Sequence, residues 1–159
     1  MQHSVRRVVT GHDADGKAVV RSDARHEMED INHGEAWFLK LWTSAMPADN
    51  NDGADGALVA SGLTLEGGTV LRIVDMPPGQ RSPMHRTSSL DYGIVLQGEV
   101  PLELDEGRTV KLVVGDVVVQ RGTIHAWDNR GSSFARMAFV LISAPAYRHD
   151  GRELGPEHR

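Results

Sequence analysis

The chain has 159 residues, a formal net charge of −5 (17 Lys and Arg against 22 Asp and Glu), a hydrophobic fraction of 40% and no cysteine. That length is enough to bury one real core, and the missing thiols exclude disulfide staples, zinc–thiolate centres and cysteine nucleophiles. Mild acidity with scattered arginines speaks against nucleic acid or an anionic membrane as the main partner.

Taken in order, the runs are those of an all-β chain: short Val-, Ile- and Leu-rich stretches punctuated by Gly, Pro, Asp and Asn. VRRVVT at residues 5–10 and KAVVRS from Lys17 flank a turn ending in Asp15-Gly16, which predicts a hairpin. Residues 23–34 are polar and read as a loop or a short helical turn. AWFLKLWT at 36–43 predicts a strand carrying Trp37 and Trp42, and the acidic stretch at 46–56 predicts an irregular, mobile loop. From residue 69 the runs are denser. TVLRIVDM breaks at Pro77-Pro78-Gly79, YGIVLQ and VPLELD form a meander around Gly98, and RTVKLVV, VVVQ and IHAWDN end at Gly115-Asp116, Arg121-Gly122 and Arg130-Gly131. FARMAFVLIS at 134–143 is the last long run; the tail at 145–159 is polar and expected to pack loosely. Strands at this spacing predict a jelly roll, sandwich or barrel. No run is long and apolar enough to span a bilayer, and MQHSVRRVV lacks the apolar centre of a signal peptide, so the expected compartment is cytoplasmic.

Two segments carry the chemistry: Gly79-x5-His85-x-Thr87-x3-Asp91-x6-Gly98, and Gly115-x4-Gln120-Arg121-Gly122-x2-His125-x3-Asn129. Alternate residues of a strand share a face. His85 therefore points with Thr87, and His125 with Trp127 and Asn129. If those faces line one interior, two imidazoles, a carboxylate and an indole meet there.

These segments resemble the two motifs of the cupin superfamily of small jelly-roll barrels, G-x5-H-x-H-x3,4-E-x6-G and G-x5-P-x-G-x2-H-x3-N. Gly79, His85, Gly98, Gly115, Gly122, His125 and Asn129 match, while Thr87 replaces a histidine, Asp91 a glutamate and Gln120 a proline, with one residue fewer before it. The resemblance implies an all-β, cupin-type jelly-roll barrel at about 69–143, with extra N-terminal strands within 1–67 and the tail beyond, all one domain of 1–159. It also implies a homodimer, since cupins commonly pair through their sheets. The full family site is three histidines and a glutamate on one divalent metal. Here it reduces to His85, His125 and Asp91, which either hold zinc, iron or manganese in an open site or act without metal as a proton-transfer set. No organic cofactor is expected.

Within that frame His85, His125 and Asp91 are the catalytic candidates, although Asp91 could equally cap a turn or pair with Arg86. Trp127, Tyr92, Arg121 and Thr87 are the substrate-binding candidates. Trp37, Trp42 and Tyr92 are open to core, pocket or subunit-contact roles. Arg72 and Arg121 each lie in an apolar run; an inward guanidinium would bind a carboxylate or phenolate, but both are expected to point outward. His3, His12, His26, His33, His149 and His158 are expected in solvent. The favoured function is a lyase, dehydratase or isomerase acting on a small oxygenated metabolite. The alternatives are an iron dioxygenase using His85, Asp91 and His125, and a non-catalytic binding module.

Overall fold

In the computed structural model, which describes residues 3–159, the chain is built almost wholly from strands. In order these are β1 (Ser4–His12), β2 (Ala18–Glu27), β3 (Glu29–Ile31), β4 (Ala36–Ala45), β5 (Gly68–Met76), β6 (Gln80–Arg81), β7 (His85–Arg86), β8 (Ser89–Gln97) and β9 (Glu99–Glu103). A single 3-10 turn, Asp105–Gly107, leads to β10 (Thr109–Val113), β11 (Val117–Arg121), β12 (Ala126–Asn129), β13 (Ala135–Ser143), β14 (Tyr147–His149), β15 (Arg152–Leu154) and β16 (Glu157–His158). No helix among the described residues is long and apolar enough to cross a membrane.

Two sheets face each other, one ordered β11-β8-β13-β5-β4-β3 and one ordered β10-β9-β12-β6. This is the expected all-β jelly roll. The register puts Arg72 opposite Phe139, Val74 opposite Met137 and Leu141 opposite Asp91, so these residues share the inner face. Val74, Met76, Val95, Val100, Leu102, Leu112, Trp127, Ala135 and Met137 form the buried core between the sheets. Gly98 turns β8 into β9 with φ +74, and a Cβ there would stand 2.9 Å from the Phe134 carbonyl oxygen. Both the left-handed backbone and the close approach demand glycine.

The N-terminal third differs from its reading in two ways. β3 and β4 extend the larger sheet as expected, but β1 and β2 form a separate two-stranded sheet. Residues 23–27 and 29–31 are strand rather than loop or helical turn, and left-handed Asn32 and His33 supply the turn that follows. The hairpin expected of the first two runs forms, but the polar second half of β2 and β3 carry no hydrophobic alternation and so are silent in the sequence. The acidic loop at 46–56 is anchored at its far end. Asp55 takes both Arg7 Nη1 (2.8 Å) and Nη2 (2.6 Å), and Thr43 Oγ1 donates to the Gly56 carbonyl at 2.7 Å.

The tail also departs from expectation. β14 and β15 form a hairpin, and β16 pairs with β7, placing Glu157 opposite Arg86 and His158 opposite His85. The backbone N–H of Arg159 donates to the Met84 carbonyl at 2.8 Å. A short strand cannot be seen by periodicity in a polar segment, yet it finds unpaired backbone groups on β7.

Candidate functional site

The space between the sheets opens into a cavity of about 690 Å³. His85, Thr87, Asp91, His125 and Trp127 all line it, together with Arg72, Phe38, Met76, Phe139 and, at the rim, His158. The histidines reach it from two short segments tied back to back. His85 N–H donates to the His125 carbonyl at 2.8 Å, and His125 N–H to the His85 carbonyl at 2.9 Å. This reciprocal bridge brings the ring centroids to 4.3 Å.

Each imidazole is oriented in the same way. Nδ1 of His85 lies 2.9 Å from the Pro83 carbonyl, and Nδ1 of His125 lies 3.0 Å from the Thr123 carbonyl. A carbonyl oxygen can only accept, so both Nδ1 atoms carry a proton, and Nε2 is the ring nitrogen each imidazole has left for another partner. Gln120, in place of the family proline, donates from Nε2 to Thr123 Oγ1 at 2.6 Å and braces the turn into His125. The two rings differ in burial: His125 is 3% exposed, and His85 is only half-buried. Burial lowers His125 to about 4, against a raising contribution from the Thr123 bond and a further lowering one from His85. It is therefore neutral across the physiological range.

Asp91 faces the cavity from β8 and is 6% exposed. Its Oδ2 accepts a long bond from Thr87 Oγ1 at 3.4 Å, and Ser89 Oγ donates to Thr87 Oγ1 at 2.8 Å. Oδ1 is buried with no partner. Burial pushes its pKa up, against lowering contributions from Ser89, Thr87 and His85. An acidic oxygen in that state holds a proton more readily than an ordinary carboxylate does.

Of the family's metal-ligand positions, two imidazoles and one shorter carboxylate remain here. Among the described residues no three His, Cys, Asp or Glu side chains stand together as ligands, so the triad expected of His85, Asp91 and His125 is not assembled. Asp91 is one methylene shorter than the family's glutamate and is engaged with Thr87, the residue that replaces the family's second histidine.

Other candidates also move. Tyr92 is 40% exposed, and Arg121 is exposed beside it on the outer face of the large sheet, with Val119 opposite Tyr92 and Leu90 opposite Arg121. Neither lines the cavity, because odd and even positions of β8 and β11 point to opposite faces and Asp91 takes the inner one. Asn129 is buried away from the cavity, donating from Nδ2 to the Met76 and Ser133 carbonyls at 2.9 Å each. Trp37 stacks on His3 with ring centroids 4.0 Å apart. His3 is not in solvent: its Nδ1 meets the buried Asp75 at 2.8 Å, and Arg136 binds the same carboxylate. His158 is exposed, but its ring is stacked 6.0 Å from that of His85.

Arg72 is the functional residue most misjudged from sequence. It is 8% exposed and points inward. Its Nη2 donates to the Gly62 carbonyl at 2.9 Å, its guanidinium stands 5.5 Å above the Phe38 ring, and its Nε is buried without a partner. Burial lowers its pKa from the ordinary arginine value. The alternation of Arg72 with Val70 and Val74 was the available cue, blurred because the other face of the strand is apolar too.

The cupin domain family model matches residues 72–142. Phomopsin biosynthesis cluster protein C' of Diaporthe leptostromiformis is 41% identical over 158 residues, covering 94% of this chain and 84% of that protein. The cupin-domain-containing oxidoreductase fogC of Aspergillus ruber is 34% identical over 156 residues, covering 93% of this chain and 77% of that protein. Among solved structures, the Cnp3 cupin domain of Schizosaccharomyces pombe aligns with TM-score 0.54 at 12% identity over 87% of both chains. The polyketide cyclase RemF of Streptomyces resistomycificus aligns with TM-score 0.51 at 22% identity, covering 78% of this chain and 70% of that one.

Proposed function

This chain belongs to the cupin family, and from that premise we propose that it is an enzyme of secondary metabolism that moves a proton on a small oxygenated metabolite, as an isomerase or a dehydratase-type lyase. Relatives named for biosynthesis clusters support the metabolic setting. The observation that carries the chemistry is the pair of Nδ1-anchored imidazoles facing a cavity that also holds the unpartnered oxygen of Asp91.

The three groups divide the work by environment. His85 is the less buried imidazole, and its free Nε2 is the general base that takes a proton from carbon next to a carbonyl. Asp91, with its pKa pushed up, supplies the proton to the carbonyl oxygen or to a departing hydroxyl. In the first case an enol forms and reprotonation at a second carbon completes an isomerisation; in the second, water leaves and a double bond remains. His125, neutral at physiological pH, accepts a hydrogen bond from a substrate hydroxyl and orients it. Trp127 and Phe139 wall the cavity with apolar surface that excludes water.

The test begins with deletion of the gene in its host and purification of the metabolite that accumulates. Converted by the protein in deuterium oxide, it should yield either an isomer carrying solvent deuterium or a product lighter by one water, with no oxygen consumed and undiminished turnover after dialysis against a strong chelator. His85→Gln should lower kcat by about 10²-fold or more. Incorporation of an atom from molecular oxygen would instead establish the iron-dioxygenase reading.

A further inference from the structure

Three arginines line the cavity: Arg72, Arg81 and Arg159. Arg81 pairs with Glu103 at 2.9 Å, and Arg159 pairs with Glu157 at 2.5 Å. Arg72 is the most buried of them, and among the described residues no carboxylate forms an ion pair with it. Only Nη2 is held, by the carbonyls of Gly62 at 2.9 Å and Leu63 at 3.4 Å, while Nε has no partner. Bracing the 57–67 segment would need no more than that one nitrogen. A buried guanidinium with an unfilled donor and no counter-ion is a site made for an anion.

The walls around it say what kind. Phe38 lies under the guanidinium, and Phe139 is its cross-strand neighbour. From Phe139 an aromatic row continues to Trp127 at 5.3 Å between centroids, then to His125 at 5.4 Å and His85 at 4.3 Å. Arg72 and Asp91 face the same cavity from β5 and β8, the two strands that flank β13, which puts two strand spacings, about 10 Å, between their backbones. An anionic group at Arg72 therefore leaves a flat ring against Phe38, Phe139 and Trp127 and directs the far side of the molecule at the imidazoles.

We propose that the cavity takes an aromatic carboxylate, with Arg72 binding the carboxylate and the Phe38–Phe139–Trp127 wall holding the ring. The assignment of this substrate class rests on the reading of the same cavity as the site of proton transfer.

Benzoate and benzamide, which share ring and shape but differ in charge, serve as probes by titration calorimetry on the full chain. Wild-type protein should bind benzoate about tenfold or more tightly than benzamide, the scale of one charge-assisted hydrogen bond. Arg72→Gln should abolish that preference while leaving benzamide affinity within about twofold, and Arg72→Lys should restore part of it. His85→Gln should still prefer benzoate although its turnover is lowered about 10²-fold or more. Benzoate bound no better than benzamide by the wild type, or a preference that persists in Arg72→Gln, would overturn the assignment. The wild-type comparison decides the matter even if Arg72→Gln fails to fold. Loss of the preference in Arg72→Gln alongside full turnover in His85→Gln would keep the anion site and remove the proton-transfer reading, so the two fail separately.

Discussion

Burial favours the neutral form of His125. Its pKa falls from 6.5 to about 4 because the ring is buried, so in the unfolded chain it binds a proton at a higher pH than in the folded one. Stability is therefore full above about pH 6.5 and is lost as pH falls toward 4, by up to about 3 kcal/mol. Asp91 acts with the opposite sign: its raised pKa favours the folded state as pH falls toward its ordinary value of 3.8. Denaturant titrations of wild type and His125→Gln at a series of pH values separate the two, since Asp91 is common to both. The difference between the proteins should shrink on acidification. A constant difference across that window would mean that His125 is accessible enough to protonate in place. At Gly93, directly opposite Phe139, a Cβ would come within 2.9 Å of Val118 Cγ1 and 3.1 Å of Phe139 Cε1. The absent side chain is what leaves Phe139 its position in the cavity wall.

Among the elements, β16 has consequences out of proportion to its two residues. It covers one side of the cavity through its pairing with β7, and it is fastened by Arg86, whose Nη2 lies 3.6 Å from Glu157 and whose Nη1 donates to the Gly155 carbonyl at 3.3 Å. Reversing the exposed partner, Glu157→Lys, sets a like charge beside a buried guanidinium. The expected outcome is release of the tail, read as severalfold faster tryptic cleavage at Arg152 with the barrel itself intact by circular dichroism. High salt should push the wild type in the same direction, since the pair is half in solvent. Cleavage at the wild-type rate would show that backbone pairing alone holds the strand. The hairpin of β1 and β2 contributes differently: through Arg7 it pins the loop at Asp55, and it places the adjoining His3 within hydrogen-bond distance of the buried Asp75.

Across the whole molecule, the inner face of the large sheet is committed to the cavity, while the outer face is covered at β5, where Ile73 and Asp75 are buried, and left apolar and exposed along β8 and β11. Tyr92 at 40%, Val119 at 54% and Val117 at 59% exposure lie on that outer face. A contiguous apolar surface of this kind is more than a scatter of exposed side chains, and a second copy placed by a two-fold axis would close it with the same patch on both sides. The homodimer proposed on this basis is checked by sedimentation equilibrium: wild type at twice the chain mass, and Val119→Lys shifted toward the monomer without loss of the folded spectrum. A wild type that stays monomeric at micromolar concentration would remove the dimer and leave the face for another partner.

How much of this was legible beforehand follows from the range over which each feature is determined. The strands of residues 69–143 were readable because turn glycines and two-residue alternation are local properties of the chain, whereas the approach of His85 to His125 was readable through the resemblance of their two segments to the cupin motifs. Each histidine follows its turn at a fixed interval, so strand direction and side-chain direction come together. The facing of Arg72 was not readable, because alternation identifies an inner face only where the other face is wet, and here Leu71 and Ile73 on the other face are apolar as well. Nor could spacing show that His158 would stack on His85, 73 positions earlier in the chain, that Asp91 would stand apart from a ligand group, or that His3 would reach a carboxylate buried on β5. Those contacts join segments whose separation along the chain carries no information about their distance in space. They are decided by which backbone edges remain unpaired and which buried charges lack a partner once the barrel has closed.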